Sequence, residues 1–289
     1  MGIDFDWVDA FADIPFGGNG CAVLHQAAHL DDETCKNVVK ETSLVECTFT
    51  GPSDVADIKV RYFLASREIP FAGHPTVATV AAMRHRGLIP DGALVLETGA
   101  GLVPVEVAGD LVTMTQIAPR FGAEVPAKIV ATAFGLEPTD IISPPQLVST
   151  GLEFCVTPLK SEDALLRAKI NQDGLAAYFD HIGATTTDMM EPFLVTQSGA
   201  TDMGDTYSRL LLAPPSPAED PFTGSATGAM ASYLWARGLI TSPTFVAEQG
   251  HGLGRPGQAR VDVLGPPDAI SGVKVAGQGY VLMSGEIFV

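Results

Sequence analysis

Two stretches of this sequence set chemically capable side chains beside a glycine that opens a run of small apolar residues. In REIPFAGHPT the pair is Gly73 and His74; in EDPFTGSATGA it is Gly224 and Ser225, with Asp220 just upstream. The run after each glycine is apolar all round, the pattern of a helix buried on every side. The start of such a helix exposes unpaired backbone N–H groups and about half a positive charge, which together can hold a carboxylate. His74 falls in the first turn, where the positive dipole end disfavours imidazolium. Its ring is therefore expected to stay neutral, able to hydrogen-bond or relay a proton near neutral pH. The plainer alternative is that both glycines only make tight turns.

Two carboxylates are further candidates. Glu46 lies among apolar neighbours in SLVECTFT, where a carboxylate is either on a solvated strand face or buried with a pKa suited to proton transfer. Alternation alone favours the solvated face. Asp220 precedes Pro221 and the second helix, so it could cap that helix, bind substrate or orient a proton carrier. No His, Cys and carboxylate set shows metal-ligand spacing, and no metal is expected. GLGRPG, residues 252–257, has the glycine spacing of a dinucleotide loop, but Pro256 and the strand-like QARVDV exclude the helix that such a loop needs. GGNG at Gly17 lacks the lysine of a phosphate loop.

The elements that must position these residues come in duplicate. Residues 68–102 align without gaps on 219–253, with 15 of 35 positions identical, and RYFLA at Arg61 resembles RLLLA at Arg209 upstream. Frame positions match between the copies, while polar ones differ: His74 against Ser225, Ile69 against Asp220. That is what an asymmetric substrate would require of a retained frame. Each copy reads as strand, glycine turn, helix ending at Arg-Gly, and strand. IDFDWVDAF, IKVRYFL, ALVLETGA, LVPVEV, LVTMTQI, RVDVLG and VKVAGQGYVLM read as further strands. Prolines at Pro119 and from Pro214 to Pro217 mark connections. The expected division is 1–118 and 119–277, with a last strand, 278–289, returning to the first half.

Bulk properties limit the partners. A chain of 289 residues, 46% hydrophobic, can bury one large core or two smaller ones. Its net charge of −17 opposes nucleic acid and anionic lipid, so any anion site must be built locally from dipoles or a few cations. No apolar stretch approaches the roughly 18 to 20 residues of a membrane span. Cys21, Cys35, Cys47 and Cys155 form no CxxC pair, which fits buried thiols in a reducing cytoplasm.

In order along almost the whole chain, DAFADIPFGGNGCAVL, VECTF, REIPFAGHPT, TMTQIAPRFG, EDPFTGSATGA and EQGHGLGRPG resemble the PhzF-like (phenazine biosynthesis) family. The resemblance implies the diaminopimelate epimerase-like α/β (α+β) fold: two pseudo-symmetric domains, each a mixed β-sheet or barrel around a central helix, as a homodimer. It implies a cofactor-independent isomerase acting on a small anionic, carboxylate-bearing metabolite in an inter-domain cleft. Glu46 corresponds to the family's catalytic glutamate, His74 to its cleft histidine, Asp220 and Ser225 to its acidic residue and serine, with Gly73 and Gly224 as backbone donors. Epimerase or lyase chemistry on the same fold, or a binding protein without turnover, are the alternatives. Two-thiol racemisation is disfavoured, because histidine and serine stand where racemases of this fold carry cysteines. Phe222, Val45 and Gly20 depart from the usual family motifs and leave the substrate open.

Overall fold

The alternating runs become strands and the two small-residue runs become helices in the computed structural model, which describes residues 2–184, 191–214 and 217–289. Within the proline stretch at 214–217, residues 215 and 216 lie outside the described residues. In the first half the elements are β1 (Gly2–Ala10), β2 (Asn19–Leu24), α1 (Asp32–Thr42), β3 (Glu46–Gly51), β4 (Ile58–Phe63), β5 (Glu68–Ile69), α2 (Gly73–His85), β6 (Gly92–Thr98), β7 (Gly101–Ala108) and β8 (Leu111–Ile117). There follow β9 (Arg120–Glu124), α3 (Ala127–Ala133), β10 (Gln146–Ser149), β11 (Glu153–Pro158), α4 (Glu162–Arg167), α5 (Gln172–Ile182), β12 (Pro192–Thr196), β13 (Thr206–Leu211), β14 (Glu219–Asp220), α6 (Gly224–Ala236), β15 (Thr244–Gln249), β16 (Gly257–Leu264) and β17 (Gly272–Phe288). The chain divides into two compact units, one of residues up to Thr115 with Ala276–Val289, the other Gln116–Val275.

In the first unit β1 pairs antiparallel with β2, β2 parallel with β3, β3 antiparallel with β4, β4 parallel with β6, and β6, β7 and β8 follow as a meander. The returning strand β17 pairs with both β1 and β8, which closes an eight-stranded ring around α2. Closure leaves no free edge and gives an apolar helix a place where every face is buried. In the second unit β10 to β13, β15 and β16 repeat these pairings in order and sense around α6.

The duplicated segment runs through matching elements. The helices α2 and α6 are both 13 residues long, and both stop at the RGLI shared by the copies. Arg86 and Arg237 are the C-caps that directly follow the two helices. Gly87 and Gly238 then turn left-handed at φ 67° and 65°, and the next residue, Leu88 or Leu239, donates back to Met83 or Leu234. This is the Schellman stop, in which glycine bears no Cβ penalty for the left-handed turn and orphan carbonyls are satisfied. Arg86 also grips the buried Asp6 of β1, which further accepts from Ser284 and His25. The end of the central helix is thus tied to the strands that close the ring.

Candidate active site

Glu46 opens β3, and the structure corrects the solvated-face expectation: the residue is only 4% exposed. Every residue of β3 is buried. Cys47 and Phe49 face outward into an apolar cluster with Cys35, Val38 and Val39 of α1, so the solvent side of the strand is itself covered. Glu46 and Thr48 face inward; Thr79 of α2 donates to Thr48 at 2.9 Å. Polar residues therefore point at the central helix and apolar ones away from it. This inverts the alternation rule for a one-sided sheet.

His74 is the second residue of α2, where the chain leaves β5 through Pro70 and Ala72. Its Nδ1 lies 3.9 Å from Glu46 Oε2 and 3.2 Å from the Asn19 amide nitrogen. Its Nε2 is buried and makes no hydrogen bond among the described residues. Burial pushes the imidazole down to about 3, so the ring is neutral near pH 7. A histidine whose folded pKa lies below its unfolded value of 6.5 binds fewer protons folded than unfolded, so stability falls on acidification from 6.5 towards 3. Urea titrations at intervals from pH 7 to pH 4 are expected to show His74→Gln losing a component worth up to about tenfold in the folding constant per pH unit.

Cys21 of β2 stands opposite Glu46 in the parallel register, a neighbour that sequence separation concealed. Burial first, then Cys47 and Glu46, push its thiol well above the usual range, which keeps it a thiol. All four cysteines are buried and free.

In the second unit Asp220, Gly224 and Ser225 come together at the start of α6. Asp220 is buried and accepts the Thr223 hydroxyl at 2.5 Å. Gln249 accepts from the Thr223 N–H and donates to the Asp220 carbonyl and the Thr223 hydroxyl. From the other side Gln116 donates to the Gly224 carbonyl at 2.9 Å, and Thr150 orients that amide. Gly228 leaves the space for it, since a Cβ there would stand 1.9 Å from Gln116 Oε1. Ser225 is half-buried, and Phe222 is fully buried. Sequence reasoning missed Asn19, Gln116, Thr223 and Gln249. All four sit inside quoted motifs, but an uncharged amide or hydroxyl carries no chemical signature until its neighbours are known.

The helix starts share a further property. Asp31, Ser161 and Asn171 cap α1, α4 and α5 with their side chains, whereas neither Ala72 at α2 nor Thr223 at α6 makes a side-chain cap. The first-turn N–H groups of the two central helices are thus left without that side-chain acceptor, as an anion site requires. Among the described residues no three His, Cys, Asp or Glu side chains group as metal ligands, and GLGRPG leads into the strand β16 rather than a helix. No helix among them is long and apolar enough to cross a membrane.

A family profile described as "Phenazine biosynthesis-like protein" matches residues 8–285. The chain is 27% identical over 264 residues to an uncharacterized isomerase of Bacillus subtilis, covering 88% of each chain. It is 29% identical to a trans-2,3-dihydro-3-hydroxyanthranilate isomerase of Pseudomonas fluorescens, covering 97% of each. Among solved structures, a PhzF-family phenazine biosynthesis protein of Bacillus anthracis matches with a TM-score of 0.88 at 26% identity over the whole of both chains. A hydroxyproline epimerase of Agrobacterium vitis matches with a TM-score of 0.64 at 12% identity, covering 99% of this chain and 91% of that one, a likeness of fold alone. The fold is the diaminopimelate epimerase-like α+β fold.

Proposed function

The chain belongs to the phenazine biosynthesis-like protein family, and from that membership we propose that it is an isomerase moving a proton between two carbons of a small carboxylate-bearing metabolite. Glu46 removes the proton and returns it, acting as general base and then general acid. Ser225 and the first-turn N–H groups at Gly73 and Gly224 hold the substrate's negative charge. Fixed donors of this kind act most strongly where charge develops in the transition state. Asp220, held by Thr223, orients the substrate. Every group in this scheme belongs to the chain, so no cofactor enters it.

The observation that carries the reading is the buried pair Glu46 and His74, 3.9 Å apart, at the start of a central helix without a side-chain cap. Both side chains are buried, and a buried titratable pair of this kind is a candidate for proton transfer. The name of the Pseudomonas fluorescens relative, a trans-2,3-dihydro-3-hydroxyanthranilate isomerase, supports an unsaturated carboxylate as the substrate class.

Solvent exchange tests the reading. The protein is incubated in deuterated water with a panel of unsaturated carboxylates, trans-2,3-dihydro-3-hydroxyanthranilate among them, and products are read by proton NMR. Label at carbon with a shifted double bond is the expected result. Binding of a carboxylate without carbon-bound label would instead make the chain a binding protein. Inversion at one carbon without a double-bond shift would make it an epimerase.

A further inference from the structure

The GGNG segment, which fits no phosphate loop, leads to a residue the scheme above does not use. Gly18 takes φ 47°, and a Cβ there would come within 2.0 Å of the Ala10 carbonyl, so only glycine makes this turn. On the near side of the turn the Phe16 N–H is held by Asp9 at 2.8 Å. On the far side the chain enters β2 at Asn19, which pairs with Ala10 and is 2% exposed. The turn thus delivers one amide side chain, at fixed depth, to His74 Nδ1 at 3.2 Å.

A primary amide nitrogen donates and cannot accept, so the ring nitrogen facing it must be the acceptor. A neutral imidazole carries one proton, and with Nδ1 accepting, that proton sits on Nε2. Nε2 is the buried atom without a hydrogen-bond partner among the described residues. Leaving such a donor unmet costs free energy, which a ligand oxygen would recover. The Glu46 carboxylate at 3.9 Å from Nδ1 pulls the other way, because a nearby negative oxygen favours a proton on Nδ1. Without Asn19 the ring would turn its proton towards Glu46, the base of the proposed reaction.

We propose that Asn19 is a positioning residue that locks His74 in the Nε2–H tautomer, making the ring a hydrogen-bond donor to an anionic oxygen of the substrate and keeping its proton away from Glu46. The inference rests on the isomerase reading for what the donor serves, but the tautomer is a property of the ligand-free protein. In protein labelled with ¹⁵N-histidine, long-range proton–nitrogen NMR at pH 7 distinguishes the protonated ring nitrogen from the bare one. The His74→Gln variant assigns the signals by their disappearance. The wild type is expected to show a bare Nδ1 and a protonated Nε2. Asn19→Asp, of the same shape but presenting only acceptors, is expected to move the proton to Nδ1 or to protonate the ring fully. It should also lower kcat/KM in the exchange assay by about ten- to a hundredfold, the loss of one hydrogen bond to a charged group.

A protonated Nδ1 in the wild type, or a tautomer unchanged in Asn19→Asp, would overturn the proposal, as would a switched tautomer with unchanged kcat/KM. A protein that exchanged no label with any carboxylate would defeat the isomerase reading, and the tautomer result would still decide the role of Asn19.

Discussion

Glu46→Gln is expected to lower the rate of carbon-bound proton exchange by about 10² to 10⁴-fold, the usual contribution of a positioned general acid–base. Glutamine keeps the shape and hydrogen-bonding reach of the side chain but cannot take a proton from carbon. The substitution thus separates proton transfer from substrate binding. The residue lies at the head of β3, between α1 on one side of the sheet and α2 on the other, so an isosteric change there need not disturb packing. The checks are the melting temperature, KM and kcat. A fall in kcat with KM and melting temperature near the wild type supports the assignment. A variant that still incorporates deuterium at the wild-type rate removes Glu46 from its role.

The largest effect on stability is expected from Arg209→Ala, at about 3 to 5 kcal/mol. Arg209 of β13 makes a two-pronged pair with Glu219 of β14, at 2.9 and 2.7 Å, and its third nitrogen donates to the carbonyls of Leu165, Leu166 and Ala168 at the end of α4. Glu219 is 6% exposed, so truncating the arginine strands a buried carboxylate and several carbonyls together. The matching pair in the other unit provides the control. Arg61 grips Glu68 in the same two-pronged way and reaches the carbonyls of Ala28 and Leu30, but Glu68 is 37% exposed and can be rehydrated. Arg61→Ala is expected to cost roughly 1 to 2 kcal/mol. Urea unfolding of the two variants checks the difference. The double change Arg209→Met with Glu219→Leu should recover much of the loss, because neither charge is then left alone. Equal costs for the two arginines would mean that depth of burial does not set the value of the pair.

Much of the frame was legible because it rests on local rules. The repeat of 68–102 in 219–253 predicted two equivalent helices, and the RGLI at each end named the left-handed glycine that stops them. The strands read from alternating runs are strands, and β17 runs back to pair with β1. Among the described residues four shorter α-helices passed unread. Two of them, α3 and α4, have only seven and six residues, too few for an apolar period to stand out. The runs after Gly73 and Gly224 were legible as buried helices, because residues apolar all round at that length form a pattern within the chain.

The chemistry around those starts was not legible in the same way. Whether Glu46 met water or protein depended on α1 lying over the outer face of β3, a packing decision that no alternation within SLVECTFT encodes. Cys21 came opposite Glu46 through strand register, and Asn19 came to His74 across 55 residues of chain through one left-handed glycine. The amino-acid sequence by itself determined the duplicated frame, the buried helices and the residue types able to hold an anion or move a proton, because periodicity, capping and repetition act within a few turns of chain. Only the tertiary structure decided which of those residues are buried and which face one another. Those outcomes depend on solvent exclusion and on hydrogen-bond partners supplied by residues far apart in the chain.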